Sequence, residues 1–174
     1  MNYKYQDGLE SERLATRFLQ NEDIRWWADF FKTPETTGFL AFHIDGTFED
    51  RAHHMIDKQI IRYRENRFGL QVLTEKTSGT PVGLCGLVLQ DVEGIHEVEI
   101  GYHLLHKHWN KGYATEAAVL FKNYAFQNKI AASVISLIDI HNYRSQAVAS
   151  RNGMSRERQI RYFEKDIFIY RIQA

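Results

Sequence analysis

Apolar residues recur along this chain at two periods. Ile24, Trp27, Phe30 and Phe31 fall at helical spacing and predict a helix from about residue 22 to 32, with Asn21 as its cap. Trp26 adds aromatic surface beyond a single buried stripe. Trp26, Trp27, Phe30 and Phe31 read as core packing. A loop with Pro34 and an apolar stretch over residues 38–44 follow. Thr47 and Asp50 then resemble a capping box with Asp in the place of Glu, opening a helix to about Asn66. Ala52, Met55, Ile56, Ile60 and Tyr63 lie on one side of that helix.

Strand patterns occupy residues 10–19 (an Arg-rich alternation), 68–73, 81–90 and 97–105, with Gly79 and Glu93-Gly94 as turns. Ala114, Ala117, Ala118, Phe121 and Ala125 predict a helix ending near Gln127, its small residues suited to close packing on a sheet. A strand over 132–140 follows, then a short helix over 142–152 stopped by Gly153. Two closing strands, 156–163 and 167–172, join at Glu164-Lys165-Asp166. The order is β-α-α-β-β-β-α-β-α-β-β. Short turns favour antiparallel pairing, while the strand–helix–strand unit over 97–140 demands a parallel neighbour and a crossover helix. The expected class is α/β (α+β mixed), a mostly antiparallel central sheet with helices on both faces.

Composition narrows the setting. A length of 174 residues with no repeat or linker fits one domain over 1–174. Twenty-two basic residues balance 22 acidic ones. That balance argues against nucleic acid or an anionic membrane as the main partner. No apolar run reaches membrane-span length, and the first residues lack a signal peptide's apolar core. The single Cys85 cannot form an internal disulfide; it reads as a small buried hydrophobe in a cytoplasmic protein.

The chemistry concentrates at Trp109-Asn-Lys-Gly-Tyr-Ala-Thr-Glu-Ala117, a Gly-containing turn between a strand and a helix. Helix N-terminal amides have no intrahelical acceptor, and the helix dipole adds positive potential there. Such a turn suits a phosphate or pyrophosphate. Gly112 lacks a Cβ, so an anion can approach the main chain. Lys111 adds positive charge, and Thr115 a hydroxyl donor. No Gly-Lys-Ser/Thr ending is present, which excludes a nucleoside-triphosphate loop.

The element order and this turn resemble the GNAT superfamily of N-acetyltransferases, whose Arg/Gln-x-x-Gly-x-Gly/Ala turn holds the pyrophosphate of acetyl-CoA. Trp109 takes the place of the usual Arg or Gln; Gly112 and Ala114 match. Glu99-Ile-Gly-Tyr102, the Trp109–Ala117 run, Tyr124-Ala-Phe126 and Asn142-x-x-Ser145 resemble the RimJ/RimL-like branch, named for ribosomal-protein alanine acetyltransferases. The close resemblance covers roughly residues 97–154. It implies splayed fourth and fifth strands, with the pantetheine arm in the gap. Amides near Tyr102, His103, Leu104 and Leu105 would pair with that arm, and those of Lys111, Gly112, Tyr113, Ala114 and Thr115 with the pyrophosphate.

A primary amine must lose a proton to attack a thioester, and a carboxylate raised by burial can take it. Glu97 and Glu99 lie on one strand face with Gly101 and His103, opposite Val98, Ile100, Tyr102 and Leu104. Glu99 matches the family element and is the first candidate for the base; Glu97 is the second. Asn142 reads as a helix N-cap, as a catalytic or cofactor-binding amide, or both. Ser145 lies one turn along, within reach of pantetheine. Where many family members carry a Tyr that protonates the thiolate, seven residues past the Asn, this chain has Ala149. His103, His106 and His108 are unevenly spaced and no metal is expected. The implied activity is acetyl transfer from acetyl-CoA to an amine, either a protein N-terminus or a small molecule, by a monomer or homodimer. A non-catalytic acyl-CoA-binding sensor is the alternative, and transfer to an alcohol a third reading.

Overall fold

A computed structural model describes residues 4–40 and 43–174. Seven strands form one sheet in the order β1-β2-β3-β4-β5-β7-β6, comprising β1 (Leu14–Arg17), β2 (Leu70–Glu75), β3 (Pro81–Val92), β4 (Ile95–Leu104), β5 (Ser133–Asp139), β6 (Ser155–Tyr162) and β7 (Lys165–Gln173). All neighbours are antiparallel except β4 and β5, which the helix α4 (Tyr113–Gln127) connects as a parallel crossover. The helices α1 (Ile24–Phe31), α2 (Pro34–Thr37) and α3 (Phe48–Arg64) precede β2, and α5 (Tyr143–Arg151) follows β5. The mixed, mostly antiparallel sheet expected from the pattern is present.

Each sheet face carries its own core. On one, Ala117, Ala118 and Phe121 of α4 pack with Val82, Cys85, Leu87, Ile100 and Val134. On the other, Trp27, Phe30 and Phe31 of α1 and Met55 and Ile56 of α3 pack with Val72, Leu84 and Val88. Cys85 is fully buried, as its apolar surroundings foretold.

Several local features differ from the sequence pattern. The 10–19 stretch is not one strand, because the chain doubles back between Ser11 and Leu14 and leaves only Leu14–Arg17 in the sheet. Asn21 does not cap α1. It opens a 3-10 turn with Gln20 before it, and the Asp23 carboxylate accepts the Gln20 N–H at 2.9 Å. Pro34 begins a one-turn helix at N1, where its missing N–H costs nothing. Of the apolar stretch 38–44, residues 41 and 42 lie outside the described residues, as do the first three of the chain. The last hairpin turns at Phe163 and Glu164, both with positive φ, one residue earlier than predicted. The Thr47–Asp50 capping box forms as read, with Asp50 N–H donating to Thr47 Oγ1 at 3.1 Å.

The β4–β5 junction positions the site. Strand β3 pairs with β4 from Gly83↔Leu104 to Val92↔Ile95 without a break, whereas β5 meets β4 only at Glu99↔Ile135. Beyond that point the two strands diverge.

Candidate active site

The Leu105 N–H donates to Val82 O at 3.1 Å, which fixes the phase of the β3–β4 ladder. By alternation the amides of Leu105, His103 and Gly101 face β3, and those of Tyr102 and Leu104 face the widening gap. Of the four strand residues expected to pair with a cofactor arm, only Tyr102 and Leu104 present main-chain donors to it. A cavity of about 820 Å³ fills the fork, lined by α1 and α3 from one face of the sheet and by α4 and α5 from the other. Glu99, Tyr102, His103 and Leu104 line it from β4, Gly112 to Thr115 from the start of α4, and Asn142 and Ser145 from the start of α5. Lys111 and Leu105 do not.

The turn into α4 is built as its sequence suggests. Asn110 and Gly112 have φ of 60° and 82°, left-handed values that bend the chain sharply. Glu116 N–H is bonded to Gly112 O, so the amides of Gly112 to Thr115 precede the first intrahelical acceptor and point outward. Arg13, from the turn before β1, braces this bend. Its guanidinium donates to Lys111 O at 2.9 Å and to Glu116 Oε2 at 2.7 Å, and stacks over the Tyr113 ring. Burial would raise the Glu116 pKa, but bonds from Ser11 and Arg13 outweigh it and hold the carboxyl below its usual range. A charge that would repel phosphate in the first helical turn is thereby tied back.

Glu99 spans the fork. Its Oε2 accepts from Gln90 Nε2 at 2.6 Å, and its Oε1 from the Leu137 N–H of β5 at 3.3 Å. Tyr162 O–H donates to Gln90 Oε1 at 3.3 Å, extending the chain to the last hairpin. Burial raises the Glu99 pKa, and the Gln90 and Leu137 bonds and the Arg62 charge only partly offset it. Glu99 reaches solvent only through the cavity it lines. Glu97, one pleat away, is outside the cavity and held bidentately by Arg171 at 2.7 and 3.0 Å.

Asn142 is the N-cap of α5, its Oδ1 accepting the Ser145 N–H at 3.1 Å, and it lines the cavity. Tyr102 O–H donates to Ser145 O at 3.1 Å, tying β4 to α5 on the far side of the fork. His103 packs edge-on against Phe30, and burial lowers its pKa to about 4, so it is a neutral imidazole. Phe30 is fully buried yet touches the cavity, so the aromatic cluster of α1 serves as core and wall at once.

A family model described as "Acetyltransferase (GNAT) domain" matches residues 13–155. The chain belongs to this acetyltransferase family. A GNAT relative of Bacillus licheniformis, named as uncharacterized N-acetyltransferase p20, is 27% identical over 90% of this chain and 87% of its own length. The protein YkkB of Bacillus subtilis (strain 168) is 37% identical over 58% of this chain. That match spans 59% of the YkkB length. Among solved structures, RimL, described as a ribosomal alpha-N-protein acetyltransferase in complex with coenzyme A, superimposes with a TM-score of 0.76 at 12% identity, over 94% of this chain and 96% of that one. At that identity the likeness is one of fold.

The GNAT frame makes sense of the departures. Trp109, in the place of the usual Arg or Gln, donates from Nε1 to Leu104 O at 3.0 Å and lies under the Arg144 guanidinium. It closes the end of β4. Ala149 is buried, so no acid stands at the position where many GNAT enzymes place a Tyr. Among the described residues no three His, Cys, Asp or Glu side chains gather to hold a metal; His106 packs on Trp109 while His103 faces Phe30. The sequence pattern missed Arg13, Gln90, Tyr162 and a row of basic side chains on α3. Only that row, His54, Lys58 and Arg62 at i, i+4 and i+8, carried a signal legible without the fold.

Proposed function

We propose that this chain is an acetyl-CoA-dependent N-acetyltransferase acting on a primary amine by direct attack within a ternary complex. The observation that carries the reading is Glu99: a carboxylate with a raised pKa, set in the β4–β5 fork of the cavity that the α4 N-terminus also lines. The amides of Gly112 to Thr115 would receive a diphosphate, and those of Tyr102 and Leu104 the amide groups of a pantetheine arm. The cavity volume and the outward amides fit such a molecule, which supplies an activated acetyl thioester when bound. The RimL name, with its coenzyme A, supports the same assignment.

Glu99 would take the proton of the acceptor ammonium, directly or through one water, because a free amine with pKa near 8 to 10 is mostly protonated at neutral pH. Asn142 would orient the arm or the acceptor through its amide NH₂. A thiol of pKa about 8.5 departs without a dedicated acid, consistent with Ala149. Among the described residues no Ser or Cys is bonded to an activating base in the fork, so no acyl-enzyme is required.

A thiol-release assay with acetyl-CoA and a panel of amines and alcohols tests this. Amine-dependent release should fall about 100-fold in Glu99→Gln, with acetyl-CoA affinity retained. Binding of acetyl-CoA without release for any acceptor would instead make the chain a sensor, and release with alcohols alone would make it an O-acetyltransferase.

A further inference from the structure

The acceptor side of the cavity has a chemistry of its own. Its wall from α3 presents His54, Lys58 and Arg62 at one-turn intervals. Arg62 Nη1 donates at 3.1 Å to Gln59 Oε1, a neutral oxygen that the Leu70 N–H also uses at 2.9 Å. Among the described residues no carboxylate oxygen lies within 4.0 Å of this half-buried guanidinium. Glu99 acts on Arg62 only through space, while its own hydrogen bonds come from Gln90 and Leu137. A guanidinium stays ionised, and one withdrawn from water with donors unspent calls for an anion.

We infer that the acceptor is an amine bearing its own carboxylate a few bonds from the nitrogen, a free amino acid in chemical class, with Arg62 receiving the carboxylate while the nitrogen faces Glu99. The inference rests on the acetyl-transfer reading and deepens it. Phe30, Phe39, Leu40 and Met55 line the same compartment and favour an apolar side chain. A polyamine would set its extra cations against Lys58 and Arg62, and a peptide N-terminus carries no carboxylate at that distance.

The test compares leucine, methionine and phenylalanine, each with its carboxamide and its decarboxylated amine, under saturating acetyl-CoA. Spermidine and a Ser-initiated peptide complete the panel. A site built to bond a carboxylate should prefer the acids at least about 100-fold in kcat/KM. Arg62→Gln should bring the acid-to-amide ratio within about threefold, and Arg62→Lys should restore part of it. A structural role for Arg62 would lower acids and amides alike and leave the ratio intact, overturning the inference. Comparable rates for acids and amides, or faster release with spermidine or the peptide, would overturn it too while leaving acetyl transfer standing. If no amine is turned over, acetyl transfer itself fails, and titration of N-acetyl-leucine, N-acetyl-methionine and N-acetyl-phenylalanine into the CoA-bound protein still decides the Arg62 site. Heat that disappears in Arg62→Gln supports an anion site; no heat with any of the three refutes it.

Discussion

The two edges of strand β4 are used in opposite ways. Along β3 it is zipped from Gly83↔Leu104 to Val92↔Ile95, with Gly83 letting the His103–Leu104 backbone approach closely. Along β5 it is joined only at Glu99↔Ile135, and the Glu99 side chain completes the junction by accepting from Leu137. One edge uses its main-chain groups for stability; the other leaves them without a strand partner, where the proposed function seats a ligand. Placing the carboxylate at the point of divergence means that it helps hold the fork and, under the proposed function, would face the reaction from the same position.

The comparison can be broken most severely on the closed edge. A Cβ at Gly83 would sit 2.7 Å from Leu104 Cα and closer still to His103 O, both backbone atoms of β4 that cannot swing aside. Gly83→Val should lower unfolding stability by about 3 kcal/mol or abolish soluble folding, read by urea denaturation. A change below about 0.5 kcal/mol would mean the edge is looser than described.

On the open edge the expected effects separate stability from function. A carboxyl whose folded pKa lies above its unfolded value binds its proton more tightly when folded. Its stabilising contribution is full below the ordinary carboxylate value of about 4.3 and is lost as pH rises through the folded value. Glu99→Gln should therefore melt higher than the parent at pH 8 and no higher at pH 4, despite its loss of catalysis. The kcat/KM profile of the parent should rise through an acid limb above the usual carboxylate range, and that limb should flatten in Glu99→Gln. A variant that melts lower at pH 8 would make Glu99 chiefly a structural clasp.

Smaller effects are expected at the two helix starts. Asn142→Ala removes the α5 cap and should cost about 1 kcal/mol of stability in thermal melts. A functional share in the amide NH₂ would show as a further rise in acetyl-CoA or acceptor KM. Arg13→Ala loosens the brace on the α4 turn and frees Glu116 toward the phosphate position. Arg13 is exposed, so acetyl-CoA affinity should fall only about threefold, more at low salt than at high.

What the sequence disclosed follows how local each feature is. The α4 turn, the Thr47–Asp50 box and the Asn142 cap are written within a few residues, and each forms as read. The hairpin hidden in residues 10–19 was not legible, because its strand and return share one alternation. Asn21 lost its role to Asp23 through Arg17, a partner named only by the fold. The same holds at the site. Glu97 and Glu99 are alike along the strand; they differ because Arg171, 74 residues on, takes one, and because β5 departs from β4 beside the other. Gln90 meets Glu99 only through the diagonal register of β3 on β4. Arg13 approaches Gly112 across 98 residues or so of chain, as its bond to Lys111 records.

The central claim is that the main-chain bend at Gly112 grips a diphosphate and presents a thioester at the β4–β5 fork. Titration calorimetry of the purified protein with acetyl-CoA addresses it most directly, alongside Gly112→Asp, which places a carboxylate and a strained φ of 82° at the bend. The expected result is one acetyl-CoA bound per chain and binding weakened at least about 100-fold in the variant, a loss consistent with a charge set against the phosphates. No heat with the parent protein, or equal affinity in both, would contradict it.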